Sequence, residues 1–186
     1  MKYDPKKHHR RSIRLKGYDY SQAGYYFVTI CCYQRQCLFG KIVDGVVQLN
    51  SFGAIVAETY QWLSNRYPYV CLDEWIIMPN HFHGIIVLTD TPRRGASRSA
   101  PTRNDAPTRN DAPTRNDAPT RNDAPTPVTD PKSKRKSLGS LIGAFKTVST
   151  KKINLIRNTP GTPAWQRNYY EHIIRDEQPL NKIRQY

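Results

Sequence analysis

Residues 75–88 read WIIMPNHFHGIIVL, two apolar runs on either side of the polar segment PNHFH. Side chains alternate between the two faces of a β-strand, so His81 and His83 share one face and Phe82 points to the other. Same-face neighbours along a strand lie about 6–7 Å apart. Two imidazole nitrogens can then share one divalent ion at roughly 2 Å each. The stretch predicts His81 and His83 as metal ligands, with a further ligand from elsewhere in the fold.

Paired histidines on a strand also occur without any metal, so the surrounding sequence matters. The apolar runs on both sides indicate that the pair lies within a central strand and not on a loop. Gly84 follows His83 directly. Because glycine has no side chain, we expect a bulky group to approach the strand beside the histidines at this position.

The charge balance indicates a polyanionic partner. The 186 residues include 29 Lys and Arg against 15 Asp and Glu, a formal net charge of +14. Nucleic acid is the leading class of partner, because basic side chains that neutralise phosphates release condensed counterions. No apolar run approaches the roughly 20 residues of a membrane span, and no signal-peptide core follows the basic N-terminus. The sequence therefore predicts a cytoplasmic protein, associated with the nucleoid and not with a membrane.

Two basic segments are the predicted DNA contacts. Residues 1–16 form a basic N-terminal arm, and a later segment, 132–157, carries eight positive charges and no acidic residue. A lysine face that is merely solvated would normally include some glutamate, so contact with phosphates is the favoured interpretation. The predicted DNA-binding residues are Arg10, Arg11, Arg14, Lys146, Lys151, Lys152 and Arg157.

Hydrophobic periodicity predicts the order of the elements. A strand over 24–32 precedes a hairpin closed by Asp44-Gly45, and a helix capped by Asn50 or Ser51 follows. A strand over 70–78 leads into the histidine strand. The remaining elements are a helix from Ser137, a strand-like run over 165–174 and a last helix from about Asp176.

A tandem repeat interrupts this pattern. The hexapeptide APTRND occurs four times over residues 100–123. A repeat with proline in every copy and no apolar residue larger than alanine cannot form a helix or a central strand. The predicted organisation is the arm over 1–16, one domain formed by 17–92 together with 132–186, and a disordered insertion over 93–131.

Three stretches together resemble the REP-associated tyrosine transposases, which are HUH-superfamily endonucleases with an IS200-like transposase domain. They are GYYFVTICC at residue 24, MPNHFHGIIVL at residue 78 and WQRNYYEHIIRDEQPLNKIRQY at residue 165. The resemblance implies an α+β, ferredoxin-like sandwich with a central antiparallel sheet, the histidine strand inside it and helices on one face. It also implies that His81 and His83 bind Mg²⁺ or Mn²⁺ and that Tyr186 is the catalytic nucleophile.

The implied activity is cleavage and joining of single-stranded DNA at hairpin repeats similar to REP elements, through a 5′-phosphotyrosine, by a monomer or homodimer. Tyr169 and Tyr170 are rival nucleophiles, although packing or base stacking is the stronger interpretation of both. Relatives can place a further metal ligand four residues after the tyrosine, and the sequence has no residue there. The alternative is a truncated or decayed, non-catalytic protein that binds single-stranded DNA.

Overall fold

The chain forms a four-stranded antiparallel sheet, a two-stranded hairpin and three α-helices over residues 14–90 and 135–185, which this computed structural model describes. The elements are β1 (Gly24–Cys31), β2 (Gly40–Val43), β3 (Val46–Leu49), α1 (Ser51–Arg66), β4 (Val70–Met78), β5 (His81–Leu88), α2 (Leu138–Arg157), β6 (Tyr170–Ile174) and α3 (Glu177–Gln185). The predicted basic arm is described only from Arg14 onward. The predicted insertion, 93–131, lies outside the described residues.

The sheet has the strand order β4-β5-β1-β6, and every neighbouring pair is antiparallel. Helix α1 lies between β1 and β4 in the chain, and α2 lies between β5 and β6. This is the β-α-β-β-α-β arrangement of a ferredoxin-like fold, so the predicted fold class is confirmed. The histidine strand, β5, lies between β4 and β1 and is central, as predicted.

One face of the sheet forms the main core. On β1, the buried residues Tyr26, Val28 and Ile30 alternate with less buried ones. On β5, the ring of Phe82 packs between Tyr60 of α1, at 4.7 Å between ring centroids, and Phe145 of α2, at 5.5 Å. Because α1 and α2 cover this face, the residues on either side of Phe82 point to the opposite face.

The start of α1 follows from its cap. The side chain of Asn50 accepts hydrogen bonds from the backbone N–H groups of Phe52 and Gly53, each at 3.0 Å. These are two of the donors that the first turn of a helix leaves without an intrahelical partner. Asn50 is thus the cap, one of the two residues that the sequence proposed.

Helix α3 packs on the other face of the sheet. Its Leu180 forms a small buried cluster with Ile85 of β5 and Ile174 of β6, and Ile183 packs against the same cluster. Ile85 and Ile174 alternate along their strands with the main core residues and so project from the opposite face of the sheet. The prediction of helices on one face therefore holds for α1 and α2 only. In the described ranges, no helix combines the length and apolar character that crossing a bilayer would need.

The last strand is shorter than predicted. The run over 165–174 forms a ladder only from Tyr170, although Trp165 makes a single bridge with Cys32. Trp165 is buried, stacks near Phe39 at 4.7 Å and donates its indole N–H to the Ser149 hydroxyl at 2.9 Å. Because the indole is held in the core beneath α2, the chain joins the sheet only several residues later, at Tyr170.

The expected approach of a bulky group at Gly84 occurs on the core face and not beside the histidines. A Cβ atom added at Gly84 would lie 2.7 Å from Cζ of Phe82 and 2.8 Å from the hydroxyl oxygen of Tyr60. That hydroxyl donates a hydrogen bond to the carbonyl of Ile85 at 3.0 Å. Gly84 is therefore required by close packing of α1 against β5.

Replacing this glycine tests that packing. We expect Gly84→Ala to lower the free energy of unfolding by about 1–3 kcal/mol, because the added methyl group must displace buried aromatic atoms. Gly143→Ala is the matched control, since apart from its chain neighbours and the local helix backbone no atom lies within 4 Å of the added Cβ on α2, and alanine is the better helix former by about 1 kcal/mol. Urea unfolding of both variants gives the comparison, and equal stability of Gly84→Ala and the wild type would contradict it.

Candidate active site

His81 and His83 lie side by side on the sheet face opposite α1 and α2. Their ring centroids are 4.6 Å apart and their planes are inclined at 80°. Both side chains are half-buried. In the ladder, His81 pairs with Cys31 and Met78. The structure therefore brings the two predicted metal ligands together on one face.

A neighbouring side chain holds the Nδ1 atom of each ring. The Thr29 hydroxyl lies 2.8 Å from His83 Nδ1, and the Asn80 side-chain oxygen lies 2.6 Å from His81 Nδ1. Metal-binding histidines characteristically use one ring nitrogen for the metal and anchor the other through such a hydrogen bond. Sequence analysis missed both anchors. Asn80 is adjacent to His81 and could have been found, whereas Thr29 depends on strand register.

The surroundings of both imidazoles favour the neutral form. Burial lowers the pKa of His81. Burial, followed by the charge of nearby His81, lowers the pKa of His83 to about 4. A metal ligand must present an unprotonated nitrogen, so this environment keeps the pair in the form that binds metal. Within residues 14–90 and 135–185, no group of three or more His, Cys, Asp and Glu side chains could hold an ion, and the predicted further ligand is not found there.

A cleft of about 210 Å³ adjoins His83. Phe27 forms part of its wall and stacks on the His83 ring, with 5.5 Å between centroids and 14° between planes. Ile183 and Arg184 of α3 line the same cleft. The last turn of α3 and the histidine strand thus share one cavity.

An ion pair fixes the end of α3 against β4. Arg184 contacts the Asp73 carboxylate through NH2 at 2.5 Å and through Nε at 3.1 Å. Burial by itself would raise the pKa of Asp73, but the hydrogen bond and positive charge of Arg184, together with the hydrogen bond from the Glu74 backbone N–H, leave the pKa below its ordinary value. Tyr186, the predicted nucleophile, follows Gln185 directly in sequence and lies outside the described residues.

Comparison with known proteins gives a relative along the whole chain. A protein of Haemophilus influenzae described as uncharacterized is 36% identical over 185 residues, which cover 100% of this chain and 89% of that protein. The chain belongs to the family of this Haemophilus protein. No family model matches the sequence.

A solved structure identifies the fold. The structure of a REP-associated tyrosine transposase bound to a REP hairpin matches with a TM-score of 0.53 at 13% sequence identity, over 95% of this chain and 70% of that one. The family of this chain therefore has the fold of a REP-associated tyrosine transposase, as the sequence resemblance implied.

The adjacent tyrosines at the start of β6 have different environments. The Tyr169 side chain, just before the strand, is half-buried, its hydroxyl lies 2.7 Å from Arg14 Nη2, and Lys146 Nζ lies 5.4 Å from the ring centroid. Burial raises the pKa of the Tyr169 phenol, and the neighbouring Glu171 raises it further. Tyr170 is on the histidine face and is 51% exposed. The packing interpretation is therefore apt for Tyr169, whereas Tyr170 faces the solvent.

Arg14 and Lys146, two of the predicted DNA contacts, bind β6 or the segment that precedes it. Arg14 forms an ion pair with the buried Glu171, at 3.3 Å between Nε and Oε1. Lys146 donates to the backbone carbonyls of Gln166 and Asn168 at 2.9 and 3.0 Å. Burial lowers the pKa of Lys146 to about 8. Arg14 thus binds within β6 and Lys146 binds the segment before it, partnerships that charge counting along the sequence cannot detect.

Three further predicted contacts lie along α2, across the sheet from the histidines. Lys151 and Lys152 are exposed, and Lys152 lies 3.5 Å from the Glu58 carboxylate of α1. Arg157 donates to the Thr162 carbonyl at 2.8 Å. Arg10 and Arg11 lie outside the described residues. The structure therefore does not bring the α2 cations to the histidine pair, and their contact with DNA stays a prediction.

Substitution of two of the α2 lysines separates a structural cation from an exposed one. We expect Lys146→Met to lower the free energy of unfolding by about 1–3 kcal/mol, because the carbonyls around residues 166–168 lose their donor. Lys152→Met, which removes a solvent-exposed ion pair, should change it by less than about 0.5 kcal/mol. Urea unfolding measures both, and equal stability of the two variants would contradict the assignment.

Proposed function

We propose that the protein is a metal-dependent endonuclease and strand transferase for single-stranded DNA, a transposase that acts through Tyr186. The observation that carries the proposal is the shared cleft. His83, on the central strand, and the last turn of α3 line one cavity, and Tyr186 follows that helix in sequence. Two unprotonated imidazoles and a tyrosine nucleophile are the groups that such a reaction needs.

The proposed chemistry is an in-line displacement at a backbone phosphate. The Tyr186 oxygen attacks phosphorus and forms a 5′-phosphotyrosine, while the bond from phosphorus to the 3′-oxygen breaks. The phenolic proton is lost to solvent, and the leaving 3′-oxygen takes up a proton. A 3′-hydroxyl that later attacks the phosphotyrosine reverses these steps and joins the strands. Because such a transition state spreads negative charge over the phosphoryl oxygens, positioning and charge neutralisation dominate its catalysis.

His81 and His83 fit a bound Mg²⁺ or Mn²⁺ as a two-nitrogen set. Both rings are neutral, and the Thr29 and Asn80 contacts fix Nδ1, so Nε2 is the nitrogen assigned to the metal. When bound, the ion supplies charge neutralisation and orientation of the scissile phosphate. Imidazole also suits zinc, so the assay compares these metals.

Hairpin DNA is the proposed substrate. The surplus of basic residues favours a polyanion, and the structural relative with this fold was solved with a REP hairpin. We extend that substrate class to this chain. The protein would cleave at repeats that fold into hairpins with single-stranded flanks, in the cytoplasm and in association with the nucleoid.

An adduct assay tests the proposal. The purified chain is incubated with Mn²⁺, Mg²⁺ or Zn²⁺ and a labelled hairpin oligonucleotide taken from the DNA that flanks its gene. We expect a covalent protein–DNA adduct on a denaturing gel with Mn²⁺ or Mg²⁺, because the phosphotyrosine survives denaturation. Tyr186→Phe and His83→Ala should both abolish it, and the Tyr169→Phe control should retain it.

The controls distinguish the alternatives. DNA that is retarded but uncut by the wild type and by every variant would leave a non-catalytic single-stranded DNA-binding protein. An adduct that persists in Tyr186→Phe but disappears in Tyr169→Phe would identify Tyr169 as the nucleophile. That outcome would contradict the assignment of Tyr186.

Thr29 offers a separate test of the metal site. Thr29→Val keeps the shape of the side chain but removes the hydroxyl that holds His83 Nδ1. We expect it to weaken Mn²⁺ binding by about 10- to 100-fold, the range for lost anchoring partners of metal ligands. Titration calorimetry measures the affinity, and Thr29→Ser should restore it. Unchanged affinity in Thr29→Val would show that the hydroxyl does not position the ligand.

A further inference from the structure

One row of side chains crosses the sheet at the level of His83. Ile76 of β4 pairs with His83, His83 pairs with Thr29 of β1, and Thr29 pairs with Tyr170 of β6. Residues paired across neighbouring strands project to the same face. At strand spacings of about 4.8 Å, the Cα atom of Tyr170 lies roughly 10 Å from that of His83. Tyr170 therefore belongs to the face that carries the candidate active site.

The Tyr170 side chain is open to solvent. It is 51% exposed, and at the other end of the row Ile76 is 45% exposed. Its sequence neighbour Glu171 points to the opposite face and is buried, while His172, two residues on, is exposed. The buried cluster that joins α3 to the sheet lies at Ile85 and Ile174, farther along the strands, and Arg184 of α3 contacts Asp73 on the β4 side of the sheet, away from β6. The row consequently has His83 near its middle and accessible apolar side chains at both ends.

The ladder positions of this face on the four strands include no Asp or Glu. Asp73 and Glu74 lie in the bulge of β4, where Asp73 pairs with Arg184 and Glu74 lines the cleft beside His83; Glu171 of β6 is on the other face. The formal net charge of the chain is +14. A nucleic-acid strand can therefore cross the row without meeting a carboxylate at a ladder position.

We infer that Tyr170 is a stacking platform for an unpaired base next to the scissile phosphate, on a single strand that crosses the sheet along this row. The inference rests on the proposed function, because it takes His83 as the position of the reacting phosphate. An aromatic ring stacks with any base, at about 1–3 kcal/mol per base. A base can reach Tyr170 only when it is unstacked from a duplex. The platform thus supplies a preference for single-stranded DNA that the histidine pair does not.

Binding measured without metal tests this role. Fluorescence anisotropy in EDTA gives the affinity for a hairpin oligonucleotide with single-stranded flanks. We expect Tyr170→Ala and Tyr170→Leu to bind about 5- to 150-fold more weakly than the wild type, because neither has a π-face. Tyr170→Phe should bind as the wild type does. Leu155→Ala, an 83% exposed site on α2 across the sheet, is the distant control and should bind normally.

A fluorescent base locates the contact. With 2-aminopurine at successive flank positions, the wild type and Tyr170→Phe should quench one position that Tyr170→Leu leaves unquenched. Wild-type affinity in Tyr170→Leu, or equal losses in Leu155→Ala and Tyr170→Leu, would overturn the inference. So would absence of DNA binding by the wild type. Comparison of Tyr170→Leu with Tyr170→Phe tests the stacking role even if Tyr170→Ala fails to fold.

The adduct assay separates the two hypotheses. Tyr170-dependent binding without any adduct would refute the nuclease and leave the stacking platform standing. An adduct formed equally well by the wild type and by Tyr170→Leu, with equal affinities, would support the nuclease and refute the platform.

Discussion

The burial of Phe82 between α1 and α2 sets the direction of both histidines. Its ring is fully buried and lies within 6 Å of the rings of Tyr60 and Phe145. Because strand side chains alternate, a buried Phe82 requires His81 and His83 to project from the other face. A register slip of one residue would place two imidazoles in the aromatic core and Phe82 in solvent. The core therefore stabilises the geometry of the site without contributing an atom to it.

Periodicity in the sequence predicted what depends on local pattern. The shared face of His81 and His83, the central position of their strand and the cap at Asn50 all follow from neighbours within a few residues. The sequence did not predict on which face of β5 the Gly84 backbone is crowded. A glycine has no side chain, so its hydrophobicity does not indicate what packs against it. The sequence also did not predict the pairing of Thr29 with His83. These residues are 54 positions apart, and only the register of β1 against β5 brings them together.

The positions of basic residues predicted the DNA contacts less well than hydrophobic periodicity predicted the fold. A cation that binds phosphate and a cation that binds a buried carboxylate have the same sequence signature. Arg14 ion-pairs with Glu171, and Lys146 donates to carbonyls of the segment before β6. A carboxylate as buried as that of Glu171 needs a paired cation, since an isolated buried charge is costly. Part of the basic surplus that indicated a DNA partner thus stabilises the edge strand that carries Tyr170.

The position of α3 depends on few contacts. A nine-residue helix is too short to be stable alone, so its place on the sheet relies on the Ile85, Ile174 and Leu180 cluster and on the pair between Arg184 and Asp73. The histidines depend instead on the main core, through Phe82. Loss of an α3 contact would consequently move the end of the helix that precedes Tyr186 and leave the imidazole pair in place. The imidazole pair and the last turn of α3 are then held by separate parts of the fold, and they respond to different substitutions.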